Sequence, residues 1–216
     1  MSVSLELHNV SFQYGDSLPL LSNLSFCLEE GEVLWLTGAA SCGKSTLVRI
    51  ILREETPNSG SGSVLGKSLF GPNGYDQRQL RQDIGLILER NLFLPHIDVA
   101  GNVAAPLLVK GLSRRRIGRR VKEALRQVGL TGKARASVSE LSKTERRLLT
   151  LATALAKKPP LIIADLNPDD IDRGYLVPRL LESAAYGSAV LLLAQSRWGE
   201  GREYSLSGGT RVAAFV

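Results

Sequence analysis

The sequence predicts an α/β fold with a mixed sheet, in which antiparallel strands come first and a helical subdomain is inserted between two later strands. Apolar residues alternate in VSLELHNVSF and LLSNLSFCL, which indicates two half-buried antiparallel strands. Short apolar runs then alternate with helical periods, a pattern typical of parallel strands with both faces covered. From about residue 99 to 157 the helical periods follow one another without a strand, which indicates the inserted subdomain.

Each later element has its own pattern. The predicted buried strands are VLWLT, IGLIL, LIIAD and AVLLLA. The predicted helices are GKSTLVRIILREE, VAGNVAAPLLVKGL, SRRRIGRRVKEALRQVGL and SKTERRLLTLATALAKK. The stretch TPNSGSGSVLGKS, residues 56–68, is typical of a turn region that leads into a strand and is too short for an interdomain linker. We therefore expect a single domain over residues 1–216, with the helical subdomain at about residues 90–157.

The composition indicates a globular protein and excludes several classes. The chain has 216 residues, enough for one α/β domain with a sizeable core, and is 44% hydrophobic and 22% charged. Its longest apolar stretches, such as AVLLLA, are too short to span a bilayer, and the N-terminus lacks a basic region followed by an apolar one. Two cysteines suggest neither a disulfide framework nor a zinc site. We expect a cytosolic chain without a membrane anchor of its own.

The strongest chemical signal is a glycine-rich loop between a strand and a helix. The segment GAASCGKST matches G-x-x-x-x-G-K-[ST], directly after VLWLT. Backbone N–H groups and the helix N-terminus of such a loop cradle phosphate oxygens, the lysine adds a positive charge, and the serine hydroxyl ligates magnesium. Small residues stand at the two middle positions where glycine is usual. The residues predicted to hold ATP are Gly38, Ala39, Ala40, Ser41, Cys42, Gly43, Lys44, Ser45 and Thr46.

Two further residues extend this site. Asp165 ends the buried strand LIIAD, where a carboxylate completes the magnesium side together with Ser45. Tyr14 closes the first strand before Gly15, and an aromatic ring there either stacks on adenine or belongs to the core. ATP and Mg²⁺ are therefore the expected cofactors.

An ordered series of motifs resembles the ATP-binding subunit of an ABC transporter over essentially the whole chain. The series is Tyr14, GAASCGKST, IGLILER, NLFLPHIDVAGNV, ELSKTERRLLTLATALAKKP, LIIAD and VLLLAQS. The chain is most similar to the small single-domain subunits of the lipoprotein-release, cell-division and macrolide-export branch.

The resemblance implies a P-loop NTPase core of the ABC type, acting beside a membrane. In that family two subunits, as a homodimer or a heterodimer, sandwich two ATP molecules. Each ATP lies between the P-loop and Walker B strand of one subunit and the signature helix of the other. The helical subdomain meets a membrane permease, which implies a peripheral location at the inner face of the cell membrane.

The sequence departs from the family pattern at the catalytic positions. Leu166 occupies the place of the catalytic glutamate and can neither accept a proton nor orient a water. Gln195 aligns with the switch histidine and cannot carry its charge. Glu89 aligns with the Q-loop glutamine, which makes it a further candidate at the metal and, with Asp169, a candidate replacement base. In the D-loop segment NPDDID, Asp172 alone matches the usual pattern.

The signature motif is changed as well. Leu-Ser-Gly-Gly-Gln of the family becomes Leu141 followed by Ser142, Lys143, Thr144 and Glu145, so side chains replace the glycines that let backbone approach the opposite ATP. Read locally, SKTE predicts a capping box that starts a stable helix, with Ser142 as N-cap and Glu145 at the third helical position. Ser142 and the helix N-terminus remain able to meet a phosphate, with Lys143 adding positive charge and Glu145 opposing it.

Two surfaces are candidates for contact with partners. An arginine cluster at the start of one predicted helix is either a solvated face or a contact for acidic lipid or an acidic partner loop. Its members are Arg114, Arg115, Arg116, Arg119 and Arg120. Nucleic acid is not expected, because no aromatic interleaving or DNA-reading motif accompanies the charge. The apolar NLFLP, residues 91–95, is a candidate dock for a membrane protein, and core packing explains it almost as well.

Together these patterns predict an ATP-binding subunit of an ABC-type membrane complex whose hydrolysis is impaired and which acts through nucleotide binding, as a regulatory or structural component. Two alternatives stay open. One is a functional transport ATPase that energises a permease, and the other is a soluble interaction module in which ATP is structural.

Overall fold

The computed structural model describes residues 2–88, 93–166 and 172–206. The strands in this part of the chain are β1 Val3–Phe12, β2 Leu21–Glu29, β3 Val33–Thr37, β4 Ser59–Val64, β5 Lys67–Ser68, β6 Gly85–Ile87, β7 Leu161–Asp165, β8 Ala189–Ala194 and β9 Arg202–Ser205. The α-helices are α1 Lys44–Ile51, α2 Gln77–Asp83, α3 Val99–Val109, α4 Arg114–Gln127, α5 Lys143–Ala156 and α6 Val177–Ala185. Short 3₁₀ turns cover Thr131–Lys133 and Val138–Glu140, and a π-helix covers Asp172–Leu176.

The strands form two sheets. An antiparallel sheet has the order β2-β1-β4-β5, and a parallel sheet has the order β6-β7-β8-β3-β9. The predicted α/β class is confirmed, and the predicted N-terminal antiparallel pair is β1 with β2. These strands form a sheet of their own beside the parallel one.

The parallel sheet lies between two apolar layers, because successive side chains of a strand point to opposite faces. In β7, Leu161 and Ile163 pack toward the antiparallel sheet and α1, whereas Ile162 and Ala164 pack toward α3, α4, α5 and α6. β8 alternates in the same way. Both faces of the strands are therefore covered, which explains why their sequences are continuous apolar runs.

Three helices follow β6 in the stretch for which the sequence predicts an inserted subdomain. α3, α4 and α5 contact one another, and apolar residues of each belong to the layer on one face of the parallel sheet. The assignment of these helices to a separate subdomain stays a prediction. No helix in the described ranges is long and apolar enough to cross a bilayer.

Two sequence predictions about local structure are wrong about where helices and strands begin or end. The first helix was expected over GKSTLVRIILREE, but α1 ends at Ile51, and Arg53 has φ +57°, a left-handed conformation that a helix cannot contain. The stretch expected as a turn region, 56–68, contains β4 and β5 themselves. At Gly60 the backbone of β1 is so close that an added Cβ would lie 2.6 Å from the His8 carbonyl oxygen. The glycines thus permit strand pairing here.

Candidate functional site

An open cavity of about 350 Å³ lies at the carboxyl ends of β3, β7 and β8. In open α/β sheets this edge is where ligands bind. The cavity brings together residues that are far apart in the chain: Leu20, Ala40, Ser41, Gly43, Lys44, Ser45, Thr46, Asp165, Leu166, Ala194 and Gln195. The predicted phosphate loop, the predicted magnesium carboxylate, and Leu166 and Gln195, the two residues predicted to stand at altered catalytic positions, therefore line one cavity. Leu20 and Ala194 were not predicted.

Two glycines of the loop are required by its geometry. Gly43 has φ +102° and precedes the first turn of α1. At Gly38, with φ +155°, an added Cβ would lie 2.6 Å from both Cys42 Sγ and the Leu206 carbonyl oxygen. A larger residue at either position would move the loop.

The middle of the loop carries backbone strain. Ser41 has φ +61°, a conformation that costs a non-glycine residue about 1 kcal/mol or more. Cys42 is buried, and its backbone N–H donates to the Ala39 carbonyl oxygen at 3.4 Å. Serine and cysteine therefore fit the tight loop, as the sequence predicts, although Ser41 occupies a position that favours glycine.

The Lys44 ammonium lies against its own loop. Lys44 Nζ donates to the carbonyl oxygens of Gly38 at 2.6 Å and Ala39 at 2.8 Å, and its distance to Cys42 Sγ is 3.6 Å. These contacts hold a positive charge beside the first turn of α1. The N-terminal turn of a helix also offers backbone N–H groups that lack intrahelical acceptors, so both features attract an anion.

Asp165 and Leu166 stand at the end of β7 in different environments. Asp165 is partly exposed on the cavity wall. Leu166 is 6% exposed and, although it borders the cavity, it packs in the apolar layer formed with the helices. Asp165 thus lines the same cavity as Ser45, while the next position contributes to the core.

Gln195 extends the site from the neighbouring strand. It directly follows β8 and is exposed on the cavity wall. Its amide can donate to or accept from a ligand, and it adds no charge. The only formal charges among the described residues lining the cavity are those of Lys44 and Asp165.

Tyr14 lies beside α1, the helix that follows the phosphate loop. It is 45% exposed, its ring packs edge-on against Phe12 at 4.7 Å, and its hydroxyl is 3.3 Å from Thr46 Oγ1. The Arg49 guanidinium donates to the same hydroxyl at 3.3 Å. Tyr14 is therefore not a core residue, and adenine stacking stays a prediction.

The N-terminus of α5 has the predicted capping box. The Ser142 hydroxyl accepts from the Glu145 backbone N–H at 3.2 Å, and the Glu145 carboxylate accepts from the Ser142 backbone N–H at 2.9 Å. The Lys133 ammonium, 2.7 Å from Glu145, lowers the pKa of this carboxyl to about 2, together with the Ser142 donors. Glu145 thus stays ionised while it caps the helix. Lys143 and Thr144 occupy the intervening positions of the first turn.

One buried arginine of α5 connects three segments near the cavity. Arg147 Nε and Nη2 donate to Asp172 Oδ1 and Oδ2 at 2.8 and 2.6 Å. Its Nη1 donates to the Leu88 carbonyl oxygen at 2.9 Å and its Nη2 to the Asp165 carbonyl oxygen at 2.6 Å. Arg147 was not among the residues that the sequence patterns predicted for the site. The available signal was a charged residue within the apolar period of a predicted helix.

The residues present fit a magnesium nucleotide by the chemistry of their donors. The loop supplies N–H groups, a lysine ammonium and a serine hydroxyl, while Asp165 supplies the hard oxygen that Mg²⁺ prefers. Leu166 supplies no group for proton transfer. The arrangement is therefore suited to holding a nucleotide.

Several predicted residues lie elsewhere. Glu89, Asn91, Leu92 and the segment 167–171, which includes Asp169, fall outside the described residues. In the apolar candidate dock, Phe93 packs against the core and Leu94 is 52% exposed. In the arginine cluster, Arg114, Arg115, Arg116 and Arg119 are exposed, whereas Arg120 donates to the Lys157 carbonyl oxygen at 3.2 Å.

Known proteins resemble this chain in sequence. The family model described as ABC transporter matches residues 21–167. The methionine import ATP-binding protein MetN 1 of Pseudomonas savastanoi pv. phaseolicola is 36% identical over 172 residues, 78% of this chain and 51% of that protein. The cell division ATP-binding protein FtsE of Streptococcus pneumoniae is 32% identical over 195 residues, 88% of this chain and 84% of that protein. The chain spans about half the length of the methionine import relative. Because both kinds of relative match, the narrower branch stays a prediction.

Solved structures share the fold. The structure of an ATP-binding subunit of an ABC transporter has a TM-score of 0.82 at 24% identity, covering 95% of this chain and 87% of the other. A dimeric ATP-binding cassette, in a post-hydrolysis state with ADP and Pi, has a TM-score of 0.78 at 24% identity, covering 95% of each chain. These likenesses confirm the predicted fold class.

Proposed function

Because this chain belongs to the ABC transporter family and carries its ATP-binding domain, we propose that it acts in a membrane complex through nucleotide binding, with impaired hydrolysis. In this role it is a regulatory or structural component. ATP binds one conformational state of the complex more tightly than the other and so increases the population of that state. This effect does not require rapid turnover.

The observation that supports this proposal is the position of Leu166. It directly follows Asp165 on the cavity wall, is 6% exposed and packs in the apolar layer. A general base typically contributes 10²- to 10⁴-fold to a rate, and leucine cannot supply that contribution. Gln195 and the capped start of α5 lie at two further positions where the chain differs from the family pattern.

The binding residues have separate roles in this proposal. Gly38 to Thr46 hold the phosphates through backbone N–H groups and the Lys44 charge, and Ser45 with Asp165 holds magnesium. Tyr14 contacts the adenine. Bound magnesium nucleotide would supply the phosphoryl group that working members of such families hydrolyse.

The alternative is a functional transport ATPase that energises a permease. The specific observation in its favour is that the phosphate loop, Asp165 and Gln195 all line one cavity. In this alternative a group outside the described residues, such as Glu89 or Asp169, replaces the missing base.

The proposed partners follow from the family and from the charge distribution. A membrane permease would contact the helical subdomain, a second ATP-binding subunit would complete the nucleotide sandwich, and the chain would be peripheral at the inner face of the membrane. The exposed arginines of α4 are suited to acidic lipid headgroups, each such cation contributing about 1 kcal/mol near an anionic surface. Because the Arg120 guanidinium contacts the Lys157 carbonyl oxygen, Arg114, Arg115, Arg116 and Arg119 are the principal candidates.

Two measurements on the purified chain test the proposal. Equilibrium binding of Mg-ATP should be detectable, while phosphate release under the same conditions should stay at the background of a Lys44→Ala control. Release well above that background would favour the transport ATPase. Absence of Mg-ATP binding would refute both functions.

A further inference from the structure

Arg147 belongs to α5, the helix that begins at the altered signature motif, and its guanidinium donates to the carbonyl oxygen of Asp165 at the end of β7. It lies on α5, two positions after Glu145 of the capping box, and its side chain is 8% exposed. Its partner Asp172 is fully buried. The two guanidinium–carboxylate hydrogen bonds form a bidentate pair, which restricts the orientation of both groups more than a single contact would.

Arg147 also donates two hydrogen bonds to backbone carbonyl oxygens at the carboxyl ends of two parallel strands. One bonds the Leu88 carbonyl oxygen, just after β6, and another bonds the Asp165 carbonyl oxygen at the end of β7. Asp165 lines the cavity, and its carbonyl oxygen accepts a hydrogen bond from Arg147 of α5. A displacement of Asp165 on ligand binding would therefore alter a contact of α5.

A buried pair of this kind is weak evidence for stability alone. Taking both charges out of water costs about as much as their attraction returns, and apolar residues of similar volume often serve as well. Arg147 makes four hydrogen bonds to three segments, which is more than pairing with Asp172 requires. Of these three segments, Leu88 directly follows β6, Asp165 lines the cavity, and Asp172 begins the π-helix that leads to α6.

We propose that Arg147 is a positioning residue that couples nucleotide binding at Asp165 to the conformation of the first turn of α5. This inference rests on the proposed function, because it needs the chain to bind Mg-ATP. Asp172 holds the guanidinium in place, and the Asp165 carbonyl oxygen connects it to the cavity. Binding that immobilises Asp165 thereby lowers the frequency with which the start of α5 opens.

The first turn of α5 offers a matched control at the neighbouring position. The Arg146 guanidinium donates to the carbonyl oxygens of Val138 at 3.3 Å and Ser139 at 3.2 Å, in the segment preceding the helix. Arg146→Met and Arg147→Met therefore remove the same chemistry from the same turn. Only the second removes contacts with Asp165 and Asp172.

The experiment measures hydrogen exchange of a peptide covering residues 141–150, with and without saturating Mg-ATP. In the wild type and in Arg146→Met, we expect Mg-ATP to slow exchange by about fivefold or more, the lower end of typical coupling between sites. In Arg147→Met/Asp172→Asn, which avoids an unpaired buried carboxylate, the slowing should fall below about twofold although nucleotide still binds.

A conservative variant separates positioning from structural support. Arg147→Lys keeps a charge for Asp172 but lacks the planar fork that reaches both strand ends. We expect its melting temperature to exceed that of Arg147→Met and its exchange response to stay below about twofold. A full response in Arg147→Lys or in the double variant would overturn the inference.

Two measurements on the wild-type chain, Mg-ATP binding and hydrogen exchange of α5, separate failure of this inference from failure of the proposed function. Binding of Mg-ATP without a change of exchange in α5 would overturn this inference and leave the proposed function intact. A wild-type chain that does not bind Mg-ATP would overturn the proposed function and this inference with it.

Discussion

The backbone N–H of Leu166 donates to the carbonyl oxygen of Leu193 at 2.9 Å, so the end of β7 stays hydrogen-bonded to β8 beyond the last strand residue. The preceding carbonyl oxygen, that of Asp165, accepts from Arg147. The peptide unit between Asp165 and Leu166 is therefore held on both sides. At this peptide unit Asp165 lines the cavity, whereas Leu166 is buried.

The first prediction concerns Leu166→Glu, which places a carboxylate where the resemblance to the family predicts one. We expect the change to lower the free energy of unfolding by about 1–3 kcal/mol, because the side chain is 6% exposed within an apolar layer. Turnover should stay far below that of a working ATPase, since Gln195 and the residues that start α5 are unchanged and catalytic groups act as a unit. Chemical denaturation and phosphate release measure the two effects.

Leu166→Met is the matched control for this substitution. It conserves volume and polarity, so its cost should stay below about 1.5 kcal/mol. A glutamate variant as stable as the methionine variant would show that the site accommodates a carboxylate. Rapid turnover in Leu166→Glu alone would show that leucine was the single cause of impaired hydrolysis.

The second prediction concerns Lys44. Saturating Mg-ATP at about 100 times its dissociation constant should raise the free energy of unfolding of the wild type by about 2.7 kcal/mol, provided the unfolded chain does not bind. Lys44→Ala should largely abolish this rise, because it removes the cation beside the phosphate loop. Thermal melting with and without Mg-ATP gives the comparison. An equal shift in both chains would contradict the predicted role of Lys44.

The sequence predicted the site better than its supporting contacts. The loop from Gly38 to Thr46 and the strand ending at Asp165 have local signals: a spaced glycine–lysine motif and an apolar run. Arg147 and Asp172 are 25 positions apart, and their pairing depends on how α5 packs against the sheet. Neither periodicity nor spacing contains that information.

The same distinction explains two of the three elements, α2, β9 and α6, that the sequence patterns did not predict. α2 has one buried residue, Leu80, so it shows no apolar period. β9 has four residues at the edge of the parallel sheet, with Tyr204 alone buried. α6 is different, because its buried residues Val177, Leu180 and Ala184 have the spacing of one helix face, which is a local signal for a helix.

The third prediction concerns the pH dependence of stability through Lys157. This residue follows α5, and its ammonium donates to the carbonyl oxygens of Arg81, at 3.0 Å, and Ile84. Burial, aided by repulsion from Lys110, lowers the Lys157 pKa from 10.5 to about 8. Between about pH 8 and 10.5 the unfolded chain holds a proton that the folded chain has released, so stability from this group rises with pH. The expected rise is about 1–3 kcal/mol.

Lys157→Met isolates this contribution. All other titratable groups are present in both chains, so their contributions cancel in the difference between wild type and variant. We expect the free energy of unfolding of the wild type, relative to Lys157→Met, to increase from pH 7.5 to 10 in urea titrations. A difference that is flat or falls over this range would show that Lys157 titrates near its ordinary pKa.

The fourth prediction concerns a mixed dimer with an intact ABC subunit. In the family arrangement, one ATP would lie on the phosphate loop of this chain, beside Leu166 and Gln195, and face the unaltered signature of the partner. The other would lie on the intact catalytic residues of the partner and face Lys143, Thr144 and Glu145. Each composite site would therefore contain one altered half, and we expect turnover about 10²-fold or more below that of an intact dimer. Co-purification with the natural partner, followed by an ATPase assay, measures it.

Restoring the signature of this chain gives the sharper version of that test. Lys143→Gly/Thr144→Gly/Glu145→Gln removes two side chains and one negative charge that would face the partner's nucleotide, while glutamine can still complete the capping box with Ser142. The glycines should lower the stability of α5 by about 1 kcal/mol each. In the mixed dimer this variant should raise turnover at the partner's site alone, because Leu166 and Gln195 still impair the other site. A wild-type mixed dimer that already matches an intact homodimer would refute the argument that both sites are impaired and favour a working transporter.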